Sequence, residues 1–149
     1  MTTLALSPAG AAFIARFEGF RAVPYRCPAG KLTIGYGHAI QPGEQFSSLT
    51  PDEALTLLQQ DATREAAPLG RALTVDLLPH EADALISLAF NCGGRTIARS
   101  TLVRLLNAGE AQEAAHQFGK WNKAGGRESR GLTLRRAAEQ RLFTTGEYA

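Results

Sequence analysis

Residues 19–45 break the character of the chain. There Gly, Pro, Tyr and Thr recur in short alternations, whereas the flanking sequence is rich in Ala and Leu at helical spacing. A two-residue alternation cannot continue a helix, whose apolar positions recur every three or four residues. The chain is thereby constrained to a small β element set after one short helix, with helices making up the remainder. That is an α+β arrangement, mainly helical, with an antiparallel β-lobe over about residues 20–45.

On the N-terminal side, Ser7-Pro8 predicts a capped helix start with proline at the tolerated first position. Phe13, Ile14 and Phe17 share one side of this helix, which is expected to stop near Gly19. Glu18 would then sit in its last turn, with its carboxyl facing the negative end of the helix dipole.

Residues 22–40 read as strands, joined at Cys27-Pro28-Ala29-Gly30-Lys31, with Leu32–Tyr36 as the return strand. If the loop is 28–30, Cys27 stands opposite Lys31 and Tyr25 opposite Thr33. Strand alternation then puts Tyr25, Cys27, Lys31 and Thr33 on one face, where the Cys27 thiol and the Thr33 hydroxyl can share a water. A register slip of one residue would undo this.

Downstream, Thr50-Pro51-Asp52-Glu53 has the pattern of a capping box, and Pro79 opens an apolar helix ending at Cys92-Gly93-Gly94. Further helices are expected over Ser100–Asn107, Glu110–Phe118 and Thr133–Phe143.

A chain of 149 residues fits one domain, 1–149. Its net charge of +2 is uneven, because residues 120–141 carry seven basic side chains against two acidic ones. Such a segment suits an anionic partner (nucleic acid, wall polymer or lipid surface) or is a solvated helical face. No nucleic-acid motif accompanies it. Cys27 and Cys92 are the only cysteines, too few for a disulfide framework, and either core packing of Cys92 or an oxidisable pair remains open. His38, His80 and His116 lack ligand spacing, so neither a metal site nor a cofactor is expected. The first residues lack a basic n-region, and no run reaches the ~18 apolar residues of a membrane span.

Phe17-Glu18-Gly19-Phe20-Arg21, Cys27 and Leu32-Thr33-Ile34-Gly35-Tyr36-Gly37-His38 together resemble the active-site lobe of the phage-type lysozymes, the endolysin or muramidase family. The family signature, Glu-x8-Asp/Cys-x5-Thr, reads here as Glu18, Cys27 and Thr33. Ala89-Phe90-Asn91-Cys92-Gly93, Ser100-Thr101-Leu102 and Gly131–Glu139 with Arg135-Arg136 extend the similarity along nearly the whole chain.

The resemblance implies a lysozyme-like fold and hydrolysis of the β-1,4 bond between N-acetylmuramic acid and N-acetylglucosamine. Glu18 would be the general acid, and Cys27 and Thr33 would hold the water. Cys27 stands where many relatives carry Asp. Its thiolate would stabilise a developing cation better than the thiol, and Lys31 across the hairpin would favour that thiolate. By the same resemblance Ala39, Phe90, Thr101 and Gln117 fall near positions lining the saccharide groove. His38 and Asp61 match a lobe-bridging ion pair, and Arg135 can pair with Glu18. Phe90 reads equally as core, and Trp121 as a sugar platform or a helix anchor.

The resemblance also implies a monomer made without a signal peptide in a bacterial host cytoplasm. It would act on periplasmic peptidoglycan after help from a holin-like or delivery partner. A lytic transglycosylase and a catalytically weak wall-binding protein of the same fold are the competing expectations.

Overall fold

The computed structural model describes residues 4–149. Helix α1 (Pro8–Ala15) starts where its cap predicts: the Ser7 hydroxyl accepts the Gly10 N–H at 3.0 Å, and Pro8 opens the first turn. It ends earlier than expected. The amides of Arg16, Phe17 and Glu18 bond to the carbonyls of Phe13, Ile14 and Ala15 at 3.3, 2.9 and 3.3 Å, a spacing that tightens the chain into a turn. Glu18 therefore lies beyond the helix rather than in its last turn.

Strands β1 (Arg21–Arg26), β2 (Leu32–Gly35) and β3 (His38–Ala39) form an antiparallel meander in that order. Tyr25 faces Thr33 and Arg26 faces Leu32, while the Cys27 N–H donates to the Lys31 carbonyl at 2.9 Å. The register expected from the 28–30 loop is the one observed. Between Arg21 and Tyr25 the register shifts. Pro24 lies inside this shift, where a missing N–H interrupts the ladder without loss of a bond. The return strand stops one residue short of Tyr36, at Gly35, where φ is +69° and an added Cβ would lie 3.3 Å from the Ala54 Cβ. Close packing on the next helix and a left-handed backbone both require glycine there.

That helix is α2 (Pro51–Glu65), and its capping box is complete. The Thr50 hydroxyl accepts the Glu53 N–H at 3.2 Å, and the Glu53 carboxylate accepts the Thr50 N–H at 2.9 Å. A short α3 (Ala67–Ala72) follows, and then α4 (Pro79–Cys92), which is buried along Ala82–Ala89. Apolar nearly all round at its centre, α4 can only be stable inside the protein. It packs on α1, α2, a short α5 (Gly94–Ala98) and the last helix. Leu85, Ile86 and Leu88 are fully buried there, each side chain contributing about 1.5–3 kcal/mol of transfer free energy.

Three further helices complete the described residues. Ser100 caps α6 (Thr101–Asn107). α7 (Ala111–His116) is shorter than expected, because the chain tightens into a 3₁₀ turn at Phe118–Lys120. α8 (Arg130–Thr145) is longer than expected, because Ser129 caps it four residues before the expected start at Thr133. Helices α3 and α5 span six and five residues, too few for an apolar period to register in the sequence. A two-stranded ribbon, β4 (Lys123–Ala124) and β5 (Arg127–Glu128), was not anticipated either. Gly125 and Gly126, both at positive φ, form its turn, but the charged flanks carry no strand alternation. Among the described residues no helix is long and apolar enough to cross a membrane.

Candidate active site

The turn after α1 delivers Glu18 to the space between the β-lobe and the helical body. Its side chain is 23% exposed. Arg135 on α8 donates from Nη1 to Glu18 Oε2 at 2.6 Å, which fixes one carboxylate oxygen. The other oxygen faces Gly37: a Cβ added to that glycine would lie 4.0 Å from Glu18 Oε1. Gly37, at φ +89°, belongs to the turn joining β2 to β3. The acid is thus held from behind by the helical body and turned toward the glycine-rich corner of the β-lobe.

Arg135 is itself locked. It is 4% exposed, with Nε at 3.2 Å from Glu139 Oε2 and Nη2 at 3.3 Å from the Ser87 carbonyl. Ser87 donates its hydroxyl to Glu139 Oε2 at 2.5 Å, and Arg136 pairs with Glu139 Oε1 from the next position on α8. A fully buried carboxylate, a buried hydroxyl and two buried guanidinium groups satisfy one another, as charges removed from water require. The guanidinium of Arg135 also lies 5.3 Å from the ring centre of Phe17, the neighbour of Glu18.

Cys27 and Thr33 are brought together across the β1–β2 hairpin. Thr33 is buried, and its hydroxyl donates to the Lys31 carbonyl at 3.0 Å. The Cys27 pKa is lowered. The Lys31 backbone N–H is the main cause, aided by the Ala29 N–H, the Thr33 hydroxyl and the residue's own N–H, and desolvation opposes them. The expected help from Lys31 therefore comes through its main chain, not through its ammonium group. Cys92 behaves oppositely: burial raises its pKa, against the nearby Arg136 charge. Both cysteines are free thiols, and their partners differ, since Cys92 sits beside Arg136 at 3.4 Å.

His38 bridges the lobes. Its Nδ1 lies 2.7 Å from Asp61 on α2, and its Nε2 lies 2.8 Å from Glu44, which the sequence did not suggest. Burial of the ring opposes protonation, but the two carboxylates outweigh it and raise the pKa. Asp61 also accepts from Arg64 at 2.8 Å. Beside this network a cavity of about 210 Å³ is lined by Gly37, Ala39, Gln41, Asp61, Arg64 and Phe90, among others. Two of the four residues expected in a saccharide groove, Ala39 and Phe90, share this cavity. The other two, Thr101 and Gln117, do not line it. Thr101 is exposed at the start of α6 and accepts from Arg104 at 2.9 Å, and Gln117 is half-buried after α7. Trp121 is half-buried, and its carbonyl accepts from Arg136 Nε at 2.7 Å. Among the described residues no group of three or more His, Cys, Asp or Glu side chains is arranged to hold a metal ion.

The profile described as phage lysozyme matches residues 15–139, from the end of α1 to the buried Glu139. The chain belongs to the phage lysozyme family. Relatives within this family include an endolysin of Bacillus phage B103, 40% identical over 144 residues that cover 95% of this chain and 55% of that protein. An endolysin of Acyrthosiphon pisum secondary endosymbiont phage 1 is 37% identical over 144 residues, covering 93% of this chain and 97% of that one. The chain thus spans about half the length of the Bacillus phage relative and nearly all of the endosymbiont phage relative. Among solved phage lysozymes, a mutant of the phage P22 enzyme superposes with a TM-score of 0.85 at 32% identity, covering 95% of this chain and 99% of that one. The fold is lysozyme-like.

Proposed function

We propose that this chain is a muramidase that hydrolyses the β-1,4 bond between N-acetylmuramic acid and N-acetylglucosamine in peptidoglycan. The carrying observation is that Glu18, held through Oε2 by a buried arginine, turns its free Oε1 to the Gly37 corner of a lysozyme-like fold. Residues 1–149 act as one domain and as a monomer in this reading.

The chemistry follows from the parts. Glu18 Oε1 carries the proton that passes to the glycosidic oxygen as the bond from that oxygen to the anomeric carbon breaks. The sugar left behind gathers positive charge at its anomeric carbon and ring oxygen. A water held by the Cys27 sulfur and the Thr33 hydroxyl supplies the oxygen that bonds to the anomeric carbon, and the proton it loses returns through solvent to the Glu18 carboxylate. Arg135 is a positioning residue, because it touches Glu18 rather than the sugar. Ala39, Phe90, Thr101 and Gln117 line the strand's path, and a holin-like or delivery partner gives access to the wall.

The same single acid also suits a lytic transglycosylase, a reading favoured by the absence of a carboxylate at position 27. Mass spectrometry of fragments released from purified sacculi decides between them. Reducing muramic ends are expected, with Glu18→Gln slowing release by about 10²–10⁴-fold. Anhydro-muramic ends would assign the transglycosylase, and undiminished release by Glu18→Gln would sink both.

A further inference from the structure

Next to the cleft at His38 and Phe90 lies a second cavity, of about 360 Å³, between the end of α2, α3 and the start of α5. Arg64 and Glu65 line both, so the two cavities share a wall. Three arginines surround it: Arg64, Arg71 and Arg95. Arg64 is engaged by Asp61, but Arg71 and Arg95 have no ion-pair or hydrogen-bond partner among the described residues. Glu65, the one acid in the lining, accepts the Gly94 N–H through Oε1 at 2.8 Å.

The wall behind these arginines is rigid. A Cβ on Gly94 would stand 1.9 Å from the Glu65 carbonyl oxygen, so α2 and α5 meet backbone to backbone. The result is a preformed recess bearing two guanidinium groups, Arg71 and Arg95, outside any ion pair among the described residues, each a planar fork suited to a carboxylate or phosphate. With Arg64 paired to Asp61, Arg71 and Arg95 leave two cations against the one carboxylate of Glu65, and an anionic occupant relieves that excess.

We propose that this cavity is a subsite for an anionic group, carboxylate or phosphate, borne by the wall polymer whose glycan strand occupies the adjoining cleft. The inference rests on the muramidase reading for its substrate, but its binding arm does not require catalysis. Arg71 and Arg95 hold the anion, and Arg64 joins this subsite to the His38–Asp61 bridge.

The test uses sedimentation with insoluble sacculi. The Glu18→Gln chain serves as the parent, and Arg71→Gln/Arg95→Gln is added to it. A control adds Arg127→Gln/Arg141→Gln, removing two exposed arginines outside the cavity. The sacculi are used intact, after carbodiimide amidation of their carboxylates, and after hydrofluoric acid removal of phosphate polymers. Binding about three- to tenfold weaker for the cavity variant alone is expected on intact sacculi, with the difference shrinking as salt rises. Loss of that difference after amidation assigns the carboxylate, and loss after acid treatment assigns the phosphate. Equal binding by parent and cavity variant, an equal drop in the control, or a difference that survives both treatments would overturn the proposal. Should the unmodified protein release no fragments, the muramidase reading fails, while the binding result still decides the subsite.

Discussion

Arg135 Nη1 stands 2.6 Å from Glu18 Oε2, tying the last helix to the turn after the first across 117 residues of sequence. One guanidinium group reaches Glu18, Glu139 and Ser87 together, so the candidate acid is anchored by the buried polar network of α4 and α8.

Breaking that anchor should cost both stability and rate. Arg135→Ala leaves Glu139 buried with only Arg136 and Ser87 and frees Glu18. We expect destabilisation of about 3 kcal/mol, at the lower end for a broken buried pair because Arg136 still neutralises Glu139. Arg135→Lys should fall between the two, since an ammonium cannot reach all three partners. Thermal melts and wall-lysis rates check this; a lysine variant matching the parent in both would refute the bridging role.

The His38 bridge makes stability depend on pH in a defined direction. The folded pKa is raised, so the stabilisation is fully present below the ordinary histidine value and is lost as pH rises through the folded value. Asp61→Asn should therefore cost about 1–3 kcal/mol near pH 5–6 and much less at pH 9. Urea melts across that range are the measurement. A pH-independent cost would mean that packing, not charge, carries the contact.

The two cysteines should separate under alkylation. Backbone N–H groups of the hairpin lower the Cys27 pKa, and burial raises that of Cys92. Limited iodoacetamide at pH 7.5 should modify Cys27 first and slow wall lysis as it does so. Peptide mass mapping that finds Cys92 labelled first would contradict the environments described above.

Gly94→Ala probes the α2–α5 contact. Because the new Cβ would meet the Glu65 carbonyl at 1.9 Å, backbone must move, and a loss of about 1–3 kcal/mol is expected. For a chain of this length that is roughly 2–12 °C in Tm. An unchanged Tm would show that the two helices separate freely.

Local signals in the sequence suffice where a few neighbouring residues settle the structure. Ser7-Pro8, Thr50-Pro51-Asp52-Glu53 and Pro79 each start the helix they predict, and the 28–30 loop sets the hairpin register that joins Cys27 to Thr33. The first helix is shorter than its sequence implies, because nothing in Arg16-Phe17-Glu18 marks the shift to a tighter turn. Glu44, the second partner of His38, is not legible in the sequence, because a loop residue six positions away carries no periodic signal. Glu139 was within reach, being four residues after Arg135 on one helix face, whereas Ser87 was not.

What the sequence determined alone was the alternation of elements, the spacing of Glu18, Cys27 and Thr33, and the short-range bonds that start helices and close a hairpin. Those depend on a few consecutive residues and their backbone geometry. Tertiary structure decided which charges meet: Arg135 with Glu18, His38 with both Asp61 and Glu44, and three arginines around one recess. Such encounters depend on how α2, α4 and α8 pack, and packing is fixed by the shape of the whole core rather than by any single segment.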